Sequence, residues 1–156
     1  MRLVVQRVNS ASVSVNKKTV GEIEKGLFVL FGAGDGDTKE QAEVLADKLA
    51  KLRVMSDEND PTSPKATRGQ GKMNLSVKDV DASILVVSQF TLYADTSAGN
   101  RPSFIKAAKP EIANELYKYF IENLRKHDIN VQTGSFGEYM NISTEIDGPV
   151  TILFET

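Results

Sequence analysis

The chain has 156 residues, with 19 Lys+Arg against 21 Asp+Glu and a formal net charge of −2. That length suits one domain, residues 1–156, with a core that needs no covalent staples. The near-neutral balance excludes the bulk-basic signature of a general nucleic-acid binder but leaves room for a local basic patch. The absence of cysteine and the single histidine, His127, exclude a disulfide framework, a thiolate nucleophile and a Cys- or His-rich metal site, and confine any Ser-His-Asp triad to His127.

No apolar run reaches the roughly 18 residues of a membrane span. The opening Met1-Arg2-Leu3-Val4-Val5-Gln6-Arg7 lacks the apolar stretch and small-residue cleavage site of a secretory leader. The expectation is a soluble cytoplasmic protein with no membrane partner.

In chain order, Leu3–Val15 predicts a strand. Thr19–Ile23 and Gly26–Ala33 follow, with turn signals at Asn16-Lys17-Lys18 and Glu24-Lys25-Gly26. The continuous apolar run Gly26–Phe31 suits a strand covered on both faces. Asp37 as N-cap with Glu40 three residues on predicts a helix starting near Thr38, with Ala42, Leu45, Ala46, Leu49 and Leu52 as its buried stripe. The Asp/Asn/Pro/Ser/Gly-rich stretch Asp57–Asn74 reads as a long loop. Ser83–Tyr93 predicts a strong strand. A second helix is expected over Pro110–His127 on an Ile112, Leu116, Phe120 and Leu124 stripe, with Pro110 in its first turn. Strands over Glu138–Thr144 and Val150–Glu155 close the chain. Many strands with two helices predict an α+β domain built on largely antiparallel sheet.

Chemistry concentrates in Ser88-Gln89-Phe90-Thr91-Leu92-Tyr93. As a strand it places Ser88 and Phe90 on one face and Gln89 and Thr91 on the other. An unpartnered buried hydroxyl or amide costs about 1–3 kcal/mol, so these groups require protein or ligand partners. Asp147-Gly148-Pro149-Val150-Thr151 places a proline beside a strand, where it removes a ladder donor; an ordinary turn is the simpler reading of Gly-Pro here. Lys65, Arg68, Lys72 and Lys78, then Arg101, Lys106 and Lys109, lie in acid-free stretches that flank the Ser88–Tyr93 segment. Brought together, they form a cationic rim suited to a phosphate-bearing substrate. Gly32-Ala33-Gly34-Asp35-Gly36 lacks dinucleotide-binding spacing and reads as a strand-to-helix turn. His127 reads as a surface residue at a helix end.

The Ser88–Tyr93 and Gly148–Thr151 motifs together resemble the D-aminoacyl-tRNA deacylases of the bacterial and eukaryotic type. The likeness extends to Met1-Arg2, Val5-Gln6-Arg7-Val8, Gly99-Asn100-Arg101-Pro102-Ser103-Phe104 and Thr133-Gly134-Ser135-Phe136-Gly137 followed by Met140. The resemblance implies a barrel-like homodimer with active sites at the subunit interface, no cofactor or metal, and tRNA rather than DNA as nucleic-acid partner. It implies hydrolysis of the ester of D-aminoacyl-tRNA, and of glycyl-tRNA, by substrate-assisted water attack. It assigns the pocket to Ser88, Gln89, Phe90 (through its backbone) and Thr91. It assigns the chiral filter to a cis Gly148-Pro149 peptide lent by the neighbouring subunit, with Arg7 bracing it and Phe136, Gly137 and Met140 nearby. Lys65, Arg68, Lys72 and Arg101 would meet the tRNA. Two positions depart from the family pattern: Ile146 stands where Asn is usual, and Ser97-Ala98 where lysines are frequent. The competing expectations are a non-catalytic RNA- or small-molecule-binding dimer of the same fold, and a hydrolase of small D-amino-acid esters.

Overall fold

The computed structural model describes residues 1–57 and 72–156. Its elements are β1 (Arg2–Val15), β2 (Lys18–Ile23), β3 (Gly26–Gly32), α1 (Lys39–Ala50), β4 (Met55–Asp57), β5 (Lys72–Leu75), β6 (Ser83–Ser88), a 3₁₀ turn (Phe90–Tyr93), α2 (Pro110–Arg125), β7 (Val131–Thr133) and β8 (Asn141–Glu155). The architecture is α+β, as expected, but the sheet is mixed. β1 pairs antiparallel with β2, β3 and β8, whereas β3–β6 and β6–β7 are parallel.

The 14-residue β1 organises the sheet. Its first half pairs with β3 and its second half with β2, while β8 runs along its other edge. The path β2-β1-β3-β6-β7 brings its two ends together: a Cβ on Gly21 of β2 would overlap the Thr133 carbonyl of β7. Only a residue without a side chain allows that approach, and the sheet becomes a nearly closed barrel.

Two apolar clusters follow from strand alternation. Leu3, Val5, Val29, Phe31, Ile84 and Val86 face Leu45, Leu49, Phe120 and Leu124 of the helices. Val8, Ala11, Val13, Ile23, Phe28, Leu85 and Val87 fill the barrel. Burial of each such Val, Leu, Ile or Phe stabilises the fold by about 1.5–3 kcal/mol. β6 is therefore covered on both faces, as β3 is.

Several expectations shift. The cap of α1 is Thr38, not Asp37, and its reciprocal partner is Gln41, not Glu40: Thr38 N–H donates to Gln41 Oε1 at 2.8 Å, and Gln41 N–H donates to Thr38 Oγ1. Asp37 turns inward instead, accepting from the Met1 amino group at 2.7 Å and from Gly34 N–H at 2.6 Å. On α2, Ile112 is exposed and the buried stripe is Leu116, Tyr117, Phe120, Ile121 and Leu124. The end of the expected long loop is β5, which pairs with β4. The expected Ser83–Tyr93 strand stops at Ser88. The two C-terminal strands are one, running through Gly148-Pro149 without a break. Among the described residues, no helix is long and apolar enough to cross a membrane.

Candidate active site

The parallel strands β3, β6 and β7 end on one side of the barrel, and ligand clefts in such sheets form outside those carboxyl ends. Here the cleft measures about 850 Å³. Phe31, Val87, Ser88, Gln89 and Phe90 form its floor. Phe104, Ile105 and Lys109 form one wall, and Phe136, Gly137, Tyr139, Met140 and Ile142 the other. The segment between the polar turn and α2 folds back to make the first wall: Asp95 and Ser103 exchange backbone hydrogen bonds at 2.8 Å, and Ala108 N–H donates to Ala33 O at 3.0 Å.

The polar turn begins where Gln89 N–H donates to Phe31 O at 2.7 Å. The chain then leaves the strand, so the expected alternation of Ser88 and Phe90 against Gln89 and Thr91 does not hold. Gln89 and Thr91 meet all the same: Gln89 Nε2 donates to Thr91 Oγ1 at 2.6 Å. Among the described residues, no histidine, lysine or carboxylate hydrogen-bonds Thr91. The N–H groups of Phe90 and Thr91 open the turn, where a helix leaves its first donors without internal acceptors. Phe90 stacks edge-on against Phe104 with ring centroids 5.0 Å apart. The site thus combines hydroxyls, an amide and main-chain donors with apolar walls that also carry Lys109 and Glu138, and among the described residues no general base hydrogen-bonds its threonine.

Among the described residues of the expected rim, one cation, Lys109, lines the cleft. Lys106 pairs with Asp95 at 2.8 Å. Lys106 first, then Ser97, hold the Asp95 carboxyl well below the usual carboxylate range. Lys109 lies at the cleft itself. Arg101 and Lys72 are exposed and line no part of the cleft; Lys65 and Arg68 fall outside the described residues. His127 stands 3.7 Å from Asp47, far along α2 from the cleft.

The second feature lies on β8. Register passes from Gln6↔Thr151 to Val8↔Ile146, so residues 147–150 bulge opposite Arg7 alone. Gly148-Pro149 is cis, Gly148 has φ +123°, and both residues are exposed. Arg7, by contrast, is 2% exposed. Its Nε lies 2.7 Å from Asp147 Oδ2, and its Nη1 donates to Val54 O at 2.8 Å and Ser56 Oγ at 3.2 Å. Neither Gly148 nor Pro149 lines the cleft. The structure therefore brings Ser88, Gln89, Phe90, Phe136, Gly137 and Met140 together, with Thr91 joined through Gln89, and sets Arg7, Gly148 and Pro149 apart from them.

Ile105, Tyr139 and Ile142 are wall residues that the sequence reading did not single out. Ile105 is 89% and Tyr139 87% exposed. Their adjacency to the Gly99–Phe104 and Thr133–Gly137 motifs was the available signal.

Fold and cleft define a small α+β barrel whose site has main-chain and neutral polar groups at its floor and Lys109 and Glu138 on its walls. A family profile described as D-Tyr-tRNA(Tyr) deacylase matches residues 4–155. A D-aminoacyl-tRNA deacylase of Thermosipho melanesiensis is 50% identical over all of this chain and 97% of its own length. One of Bacillus pumilus is 51% identical over all of this chain and 99% of its own length. The solved structure of a c-Myc DNA unwinding element binding protein superposes with a TM-score of 0.86 at 38% identity, covering 100% of this chain and 99% of that one. A probable eukaryotic D-amino acid tRNA deacylase shares the fold, with a TM-score of 0.77 at 19% identity over 98% and 97% of the two chains. The chain belongs to the D-Tyr-tRNA(Tyr) deacylase family.

Proposed function

We propose that this protein hydrolyses the ester of D-aminoacyl-tRNA as a homodimer, with the Gly148-Pro149 elbow of each subunit placed over the cleft of the other. The observation that carries this reading is the separation of elbow and cleft. An exposed bulge, braced from within by buried Arg7, lies outside the lining of its own cleft. A second copy supplies the missing half of each site. β8 offers a surface for it, an edge strand paired to β1 with Ile146 exposed beside the elbow and Ile142 exposed at the cleft wall.

In this arrangement the elbow's carbonyls crowd the α-carbon, leaving no room for an L-side chain while admitting a D-side chain or glycine. Water attacks the ester carbonyl carbon, and the Phe90 N–H and Thr91 hydroxyl stabilise the developing oxyanion. The ester C–O bond then breaks, releasing the ribose hydroxyl of the tRNA and the free amino acid. The proton lost by water passes to the leaving ribose oxygen, aided by the substrate's own α-amino and vicinal hydroxyl groups. The chain has no cysteine and its one histidine is remote, which supports water over a protein nucleophile. The reading also places the enzyme in the cytoplasm, with Lys65, Arg68, Lys72 and Arg101 along the tRNA.

The test is deacylation of D-tyrosyl-tRNA against L-tyrosyl-tRNA. Rapid release from the D-ester alone supports the proposal; equal rates or none overturn it. Polynucleotide binding without hydrolysis is the second reading, favoured by the name of the 38%-identical structure. It predicts retention of nucleic acid with both esters intact. Equal hydrolysis of a minimal D-ester and charged tRNA would instead indicate a small-ester hydrolase.

A further inference from the structure

The polar turn Phe90–Tyr93 is four residues long and has no side-chain cap. Its ties at either end, Leu92 N–H to Gln89 O at 3.4 Å and Ala94 N–H to Thr91 O at 3.0 Å, are few. A single 3₁₀ turn does not hold its shape unaided. At its N-terminal end the Gln89–Phe31 bond fixes it to β3. At its C-terminal end two residues distant in sequence grip it, and neither they nor Leu92 and Tyr93 line the cleft.

Arg2 Nη1 donates to Leu92 O at 2.8 Å, and its guanidinium carbon stands 4.7 Å from the centroid of the Tyr93 ring. The same side chain is anchored from outside, with its Nε 2.5 Å from Glu155 Oε1. Tyr93 OH donates to Asp37 Oδ2 at 3.3 Å, the oxygen that also accepts from Gly34 N–H. The ring lies so close to Gly34 that a Cβ there would come within 2.7 Å of it. We infer that Arg2 and Asp37 are positioning residues that set the height and tilt of the turn, and through it the Thr91 hydroxyl and the Phe90 N–H. The inference rests on the deacylase reading for its consequence, though not for its geometry. A displacement near 1 Å of such groups can lower a rate by about 100-fold.

The test is a double-mutant cycle. Arg2→Met keeps the aliphatic stem and removes the fork; Arg2 is partly exposed, so the fold is expected to survive. On D-tyrosyl-tRNA the expected result is a kcat about 10-fold lower with KM within about twofold, and recovery of most of that loss in Arg2→Lys, which keeps a donor for Leu92 O. In a Thr91→Ala background, Arg2→Met should cost clearly less than in the wild-type background, because one of the two groups it positions is gone and only the Phe90 N–H remains to be displaced. Unchanged kcat, or the same loss in both backgrounds, overturns the inference and leaves Arg2 a stabilising surface residue. Should the wild-type protein hydrolyse neither ester, the deacylase reading fails separately. The clamp is then judged by the amide resonances of Phe90 and Thr91: these shift in Arg2→Met and return in Arg2→Lys if it holds, and stay in place in both if it does not.

Discussion

Gln89 donates its side-chain amide to the oxygen of Thr91 at 2.6 Å, which commits that oxygen as an acceptor and leaves the hydroxyl proton available for donation. A nucleophilic threonine needs the opposite arrangement, a base that accepts its proton. Thr91→Ala should therefore lower kcat for D-tyrosyl-tRNA by about 10- to 100-fold without abolishing it, and Thr91→Ser should restore most of the activity. Rapid-quench mass spectrometry of the wild-type enzyme should show no acyl adduct. A trapped ester on Thr91 would reverse the assignment.

How much of this was legible beforehand depended on where tertiary contacts outvoted local pattern. β1, β3 and α2 beyond Ile112 were readable because their apolar pattern and their burial agree. The turn at Phe90–Tyr93 was not, because Phe, Thr and Tyr favour strands. What bends them away is the Phe31 carbonyl taking Gln89 N–H and the grip of Arg2 and Asp37, partners dozens of residues away. β7 is too short, at three residues, to show a period. Asp37 and Thr38 are both good caps, and only the inward pull of Gly34 N–H and the Met1 amino group on Asp37 decides between them. The cleft residues carry their signal locally, in the short segments around Ser88 and Phe136. The separation of the elbow from that cleft could not be read, since it is a relation between strands joined by β1.

The elbow makes a prediction about subunits. A Cβ on Gly148 would lie 2.8 Å from Val150 N, at a φ of +123°, so Gly148→Ala is expected to cost about 1–3 kcal/mol and to displace the elbow. Gly148→Ala and Thr91→Ala should each be severely impaired alone. Unfolded, mixed and refolded together, they should regain about a quarter of wild-type turnover if the proposed dimer holds, because half the dimers are then mixed and each of those has one intact cleft beneath one intact elbow. No recovery, with mixed dimers verified by mass spectrometry, would mean that elbow and cleft act within one chain.

Arg7 carries the elbow's bracing. Replacing it with Leu removes the partner of Asp147 and the donor to Val54 O in a buried setting. The expected loss is about 3 kcal/mol, at the lower end for a broken buried pair because Asp147 is 30% exposed. Urea denaturation reads that loss. In the surviving folded fraction, L-tyrosyl-tRNA hydrolysis should rise relative to the D-ester, whereas Arg7→Lys should be milder in both measurements. An unchanged ratio in Arg7→Leu would separate stability from stereochemical selection.

The rim should respond unevenly to neutralisation. Lys106 is held by Asp95, whereas Arg101 is exposed near the same wall. Arg101→Gln should weaken tRNA binding more than Lys106→Gln does. The triple change Lys65→Gln, Arg68→Gln and Lys72→Gln should raise Kd and make its logarithmic salt slope shallower by about 0.9 for each phosphate that is no longer neutralised. Filter binding over a salt series distinguishes these residues from bystanders, whose removal leaves the slope alone.

Tyr93 makes the fold less stable at alkaline pH. Its burial first, and the neighbouring Asp37 carboxylate second, push the phenol up from 10.0 to about 12. Between those two values the unfolded chain has shed a proton that the folded chain still holds. Stability therefore falls as pH rises through that window, and the contribution is constant below it. In wild-type protein the urea midpoint should decline from about pH 10 to about pH 12, and Tyr93→Phe should decline less steeply. Tyrosinate absorbance should show one fewer late-ionising ring in Tyr93→Phe. A wild-type curve matched by the variant in both measurements would place the Tyr93 hydroxyl in contact with solvent rather than with Asp37.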